Sequence, residues 1–245
     1  MAKAMDWKAH RRSAHKLSQA QEFLKQITYG GNDGIVTTFA IVAGFAGAEA
    51  DGAAQIGGLA VLVFGLANLF ADAVSMGLGE FLSTRSAHDL FRARRARELE
   101  EIARAPASEH AELLAILTGR GMNPADAQAA AEIIARNPDM MADLMMTYEF
   151  GMHDPASDNP AVEGFITFLA FVIFGAIPLL PYFLLPADAF ALRLSLAGTG
   201  LALLALGILR WRATGEGALR CIGETVAVGA VCAAVAFGVG WLVAG

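Results

Sequence analysis

The chain has 245 residues, 56% of them hydrophobic and only 17% charged, with a formal net charge of -6 and a mean hydropathy of +0.48. Soluble globular domains usually carry about 25% charged residues, so the composition argues against a soluble enzyme and for a chain that lies against lipid. No segment has the strand, glycine loop and helix order of a nucleotide site, "GLGEFLS" lacks the required lysine, and the basic run "RARRAR" passes directly into acids, which argues against nucleic acid.

Taken in chain order, residues 1–25 are too polar for a signal peptide. Trp7, Leu17 and Phe23 among basic residues read as an amphipathic interfacial segment. Residues 26–85 hold two apolar windows, 26–48 and 54–79, each interrupted by one acid. Residues 86–160 are polar, and residues 161–245 hold three more windows. Of these, 164–187 and 225–245 contain no charge, while 190–209 carries Arg193 near enough to its start to reach the headgroups. About 20 apolar residues cross the hydrocarbon as a helix, and five such windows leave too little polar sequence to enclose them in a soluble core. The expectation is an all-α polytopic protein of five spans, with a helical domain between spans two and three. Cys221 and Cys232, eleven residues apart along the fifth span, read as small packing residues.

Basic flanks set the orientation. Lys3, Lys8, Arg11, Arg12, Lys16 and Lys25 precede the first span, whereas the loop near Glu49 and Asp51 has no basic residue. Arginines recur through 85–160 and near Arg210, Arg212 and Arg220, but not near Pro186 and Asp188. The N-terminus and the insertion are therefore expected in the cytoplasm and the C-terminus outside. Pro178 and Pro181 should bend the outer end of span three.

The insertion begins as the continuation of the second span's helix and breaks at Pro106. Three short helices should follow: one with Ser108 as its cap and Gly119 or Gly121 as its stop, one with Asn123 as cap before Pro124, and one repeating that signature at Asn137 and Pro138. Glu98 and Glu101 are three apart, as are Glu109 and Glu112, and Met145 shares a helix face with Glu149. Carboxylates from several helices can converge on divalent cations, and thioether sulfur from Met145 and Met146 would favour softer transition metals. The same acids could equally form a solvated face paired with the arginines of 92–97, and the methionines could be core filler. His110, beside Glu109, either assists capture or is simply solvated.

Ionisable groups inside a bilayer cost at least about 2.5 kcal/mol unless they face a cavity or a partner. Asp33 lies among Gly30, Gly31 and Gly34 near the start of the first span. On the second, Asn68, Asp72, Met76 and Glu80 follow one another at intervals of four, which places them on a single helical stripe. Were Asp33 to face that stripe, the two helices would offer carboxylate, amide and thioether groups along one seam, suited to a divalent cation exchanged against protons. Asn68 and Asp72 could instead hold helices together by hydrogen bonds.

The stretches "GGNDGIVTTFAIVAG", "ADAVSMGLGEFLS", "ELEEI…SEHAEL", "DLMMTYEFG" and "PLLPY", in this order across residues 26–245, resemble the vacuolar iron transporter family of plants and yeast with its bacterial relatives. The resemblance implies a five-span protomer that forms a homodimer, with the transport path at the subunit interface and a cytoplasmic metal-gathering domain. It assigns Asp33 and Met76 to translocation, and Glu98, Glu101, Glu109, Glu112, Met145, Met146 and Glu149 to the cytoplasmic metal ligands. By that resemblance Asn68 stands where the plant members carry a glutamate, Asp72, one turn away, supplies an acid where they have a small residue, and the loop after span one is longer than theirs. The implied activity is proton-coupled export of Fe(II), Mn(II) or both from the cytosol across a bacterial inner membrane. The metal is then substrate, with other divalent transition metals admitted at the cytoplasmic site, and no cofactor is permanently bound. The competing reading is a membrane-anchored metal sensor or storage platform without transport.

Overall fold

A computed structural model describes residues 10, 13–14, 18–49, 58–155, 158–186 and 188–244, and no strand occurs among them. The amphipathic reading of the N-terminal tail falls mostly outside the described residues, as does the loop at Asp51. After a single turn at Gln19–Glu22, the helices are α1 (Leu24–Glu49), α2 (Gly58–Arg104), α3 (Pro106–Gly119), α4 (Pro124–Ile134), α5 (Pro138–Tyr148), α6 (Pro160–Ala176), α7 (Leu180–Leu184), α8 (Ala189–Thr214) and α9 (Ala218–Ala244). They form two compact units. One comprises the chain up to Phe81 and from Asn159 onward, the other Leu82–Asp158, and α2 contributes to both.

Four helical stretches are long and apolar enough to cross a membrane: Gly58–Arg104, Pro160–Leu184, Ala189–Thr214 and Ala218–Val243. The window expected as the first span is not among them, because Asn32 and Asp33 dilute the apolar character of the 26-residue α1. Its packing explains why it need not be more apolar. α1 lies against α6, α8 and α9, its Ile35 and Thr38 are fully buried, and apart from Tyr29 the large outward apolar side chains belong to other helices, among them Leu59, Phe70 and Leu78 of α2, Ile173 of α6 and Val231 of α9. The walls around α1 are protein rather than lipid. Gly34 permits that closeness, since a Cβ there would run into the backbone of Phe171 on α6. The shared core gathers Phe39, Val42 and Ala43 of α1, Leu69 and Ala73 of α2, and Phe171.

Pro178 and Pro181 interrupt α6 as expected, with a 3-10 turn at Ile177–Leu179 before α7. The Ser195 hydroxyl of α8 donates to the Pro178 carbonyl at 2.7 Å in the buried interior. Asp188 caps α8 by accepting from the amides of Phe190 and Ala191, each at 2.9 Å. At the other end Gly215 closes α8 with φ 72°, and Glu224 of α9 accepts from Arg210 at 3.0 Å and Arg220 at 3.1 Å. Glu224 is thus an ion-pair partner that joins the two helices. Cys221 is buried and unbridged, in keeping with a packing role.

In the second unit the continuation of α2 is followed by three short helices, each opening on proline. Asn123 caps α4 by accepting from the Asp126 amide at 2.9 Å. Two expected caps differ. Pro106 starts α3 early, so Ala105 rather than Ser108 stands at the cap position, and the Ser108 hydroxyl donates to Glu112 at 3.3 Å instead. Asn137 holds the cap position of α5 without a side-chain cap bond; its amide donates back to the Ile133 carbonyl at 3.1 Å. Ile102, Leu113, Ala131, Met141, Ala142 and Met145 make the core of this unit.

Candidate metal centre and ion path

The break at Ala105 folds α3 back along α2, which sets Glu98 and Glu101 beside Glu109 and Glu112; Glu149, at the end of α5, joins them. Glu98 is fully buried and Glu109 is 7% exposed, a burial that carboxylates rarely reach without a partner. Among the described residues no basic or amide donor reaches either oxygen of Glu98, whose carboxyl can share a hydrogen bond only with that of Glu109. Burial, and after it the charges of Glu109 and Glu149, push the Glu98 carboxyl up to about 7. Glu109 is raised by burial and by Glu112, and Glu149 by burial and by Glu112 and Glu109, while Arg94 draws both back down. Met145 and Met146 are fully buried in the same unit.

Two alternatives open from spacing alone can be compared with this arrangement. Glu98 is not part of a solvated face, and two arginines of the basic run pair outside the cluster, Arg92 with Asp89 and Arg95 with Asp139 at 2.9 Å and Asp143 at 2.6 Å, whereas Arg94 acts on Glu109 and Glu149. Met145 packs in the core of the unit, so for it a filling role is met whatever else it does. Among the described residues, no three His, Cys, Asp or Glu side chains stand close enough to hold a metal ion as placed. The carboxylates are gathered and coupled, but not closed around a point. Carboxylate oxygens and thioether sulfurs in one unit are the donor types that borderline divalent metals accept.

In the other unit, Asn68, Asp72, Met76 and Glu80 are all half-buried along α2. The Asn68 amide donates to Asp72 Oδ2 at 2.7 Å. This is a bond within one helix rather than between two. Met76 packs against the shared core. Asp33 is half-buried on α1, and its carboxylate and that of Asp72 are near enough to act on each other electrostatically. Glu80 is not open: its Oε1 accepts from Lys25 Nζ at 3.0 Å and from Gln26 Nε2 at 3.2 Å. Sequence reasoning used Lys25 only for orientation and did not single out Gln26. The signal available was an acid near a membrane boundary, which needs a counter-charge, but nothing local says which one.

Against known proteins, residues 24–241 match the model of the VIT family. The chain is 35% identical over 218 residues to vacuolar iron transporter 1 of Arabidopsis thaliana, covering 89% of this chain and 85% of that one. It is 35% identical to vacuolar iron transporter 2 of Oryza sativa subsp. japonica over 219 residues, 89% of this chain and 87% of that one. The vacuolar iron transporter of Toxoplasma gondii is 33% identical over 232 residues, 91% of this chain and 75% of that one. These relatives are transporters rather than enzymes. With most of its length matched to the family and helices fit to cross a membrane several times, the chain is a multi-pass membrane protein that belongs to the VIT family.

Proposed function

We propose that the protein is a proton-coupled antiporter that exports Fe(II), Mn(II) or both from the cytosol. The reading carries α1 as a fifth span, shielded by its neighbours, with the N-terminus and the Leu82–Asp158 unit in the cytoplasm and two copies of the chain forming the working dimer. The observation behind it is the presence of acids on two neighbouring helices: Asp33 on α1 acts on Asp72 of α2, in a unit that turns many large apolar side chains outward. Such acids are costly in a bilayer and have no use in an anchor. Met76, one turn from Asp72, adds a thioether to the same stripe. The Glu98, Glu101, Glu109, Glu112, Met145, Met146 and Glu149 group would collect the metal, each ion bound displacing protons from carboxyls held high by burial. Affinity should therefore fall as the cytosol acidifies.

Full-length protein in liposomes with a pH difference across the bilayer tests this, with Fe(II) or Mn(II) flux followed together with lumenal pH. Metal uptake with matched proton movement is expected. Metal bound by the protein but never moved across the bilayer would favour the membrane-anchored sensor or storage platform instead.

A further inference from the structure

Arg94, one turn before Glu98 on α2, draws down Glu109 and Glu149, and its surroundings set it apart from its neighbours in the basic run. Its guanidinium carbon lies 3.9 Å from the centroid of the Phe150 ring, directly after Glu149. Its Nε is buried and has no hydrogen-bond partner among the described residues. Arg95, by contrast, is committed to Asp139 and Asp143. What Arg94 does reach, through space, is the charge of Glu109 and Glu149. A guanidinium stays charged at every cytosolic pH, and a ring face fixes its plane while leaving its charge unneutralised. A positive charge that persists at every cytosolic pH therefore stands one turn from Glu98 on α2 and against the residue that follows Glu149.

We propose that Arg94 is the resident cation of the cluster: it offsets the repulsion between Glu109 and Glu149 in the metal-free protein and limits how tightly the cluster holds an incoming divalent ion. This rests on the reading of the cluster as a metal-gathering site. A surface ion pair would show a solvated guanidinium bonded to one carboxylate. Here the Nε is dry and the guanidinium sits on a ring, a placement that favours a fixed field over a bond. For a site that must release its ion toward a transport path, a standing positive charge lowers affinity without removing a ligand. Lysine would supply the charge but not the planar stack that fixes its position.

The test is Mn(II) titration of the full-length protein in detergent, with free Mn(II) read by electron paramagnetic resonance and folding followed by the melting temperature. Arg94→Met removes the charge and keeps much of the apolar length, Arg94→Gln removes it from a polar side chain, and Arg94→Lys keeps it. Both neutral variants are expected to bind Mn(II) about tenfold more tightly than wild type, the scale of one nearby charge removed, and Arg94→Lys within about threefold of wild type. If either folded neutral variant binds with wild-type affinity, or binds more weakly, the inference is overturned, since a purely structural Arg94 gives those results. Wild-type protein that takes up no Mn(II) would overturn the metal-gathering reading itself, and this inference with it.

Discussion

Asn68 and Asp72, one turn apart on α2, are joined by a hydrogen bond of 2.7 Å from amide to carboxylate. The amide holds one oxygen of the acid, so Asn68 orients Asp72 rather than replacing it. On the transport reading the working acid of this stripe is then Asp72. Asp72→Asn should lower metal flux in liposomes at least about tenfold, as expected when a buried charged contact worth 1.5–3 kcal/mol is lost. Moving the acid back by one turn, in Asp72→Asn with Asn68→Glu, should recover most of that flux. A double variant as slow as Asp72→Asn would show that the position, and not the presence of an acid on the stripe, is what matters.

Asp33 and the glutamate pair of α2 should separate by kinetic signature. Asp33→Ala is expected to abolish flux, because no other residue of α1 places an acid opposite Asp72. Glu98→Ala together with Glu101→Ala should raise the metal concentration for half-maximal flux and leave the maximal rate largely intact, since the pair gathers ions upstream of the crossing. Flux measured against Mn(II) concentration resolves the two, and a double variant indistinguishable from wild type would remove the capture step from the scheme.

Glu98 makes stability depend on pH in a direction opposite to that of a salt-bridged acid. Its folded carboxyl is held up at about 7 against an ordinary 4.5, so the native state keeps a proton that the unfolded chain has already lost. The contribution is undiminished below about 4.5, falls as the pH rises toward 7, and remains a penalty above it, at most about 3 kcal/mol. Burial lifts Glu109 and Glu149 in the same sense. The metal-free protein should therefore lose melting temperature in its Leu82–Asp158 unit between pH 5 and pH 8. Glu98→Gln should flatten that slope, and Mn(II) at pH 8 should restore the melting temperature. A slope unchanged by the substitution would mean that Glu98 is not the group responsible.

Gly34 has no room for a side chain. Its absent Cβ would meet the main chain of Phe171, and backbone cannot turn aside as a side-chain end can. Gly34→Ala should destabilise by about 1–3 kcal/mol in a detergent melt, as overpacking does. Gly200 on α8 has nothing within 4 Å of its Cβ position, so Gly200→Ala should be neutral or slightly stabilising. Equal effects at the two positions would argue against the close crossing of α1 and α6.

The parts of this fold that could be read in the sequence are the local ones. Asn123 and Pro124 announce α4 because the cap and the first turn lie within three residues of each other. The proline break after Ile177 is legible for the same reason. Ser108 misled because a proline two residues earlier competes for the helix start and wins. The stripe from Asn68 to Glu80 follows from helical period alone, but its partners do not: Lys25 reaches Glu80 across 55 residues of chain, and Arg94 meets Phe150 only because α5 returns to α2. The enclosure of α1 by other helices does not follow from composition. A window average treats every residue as facing lipid, whereas Thr38 and Ile35 face only other helices.

That enclosure reaches into biogenesis. α1 precedes α6, α8 and α9 in the chain, yet these helices form its shelter and are made later. Alone in a bilayer it would expose Asn32 and Asp33, at a cost that its apolar half only partly offsets. Its final seat is therefore secured after the rest of the bundle has been synthesised, and a truncation that removes α9 should strand the first helix rather than merely shorten the last.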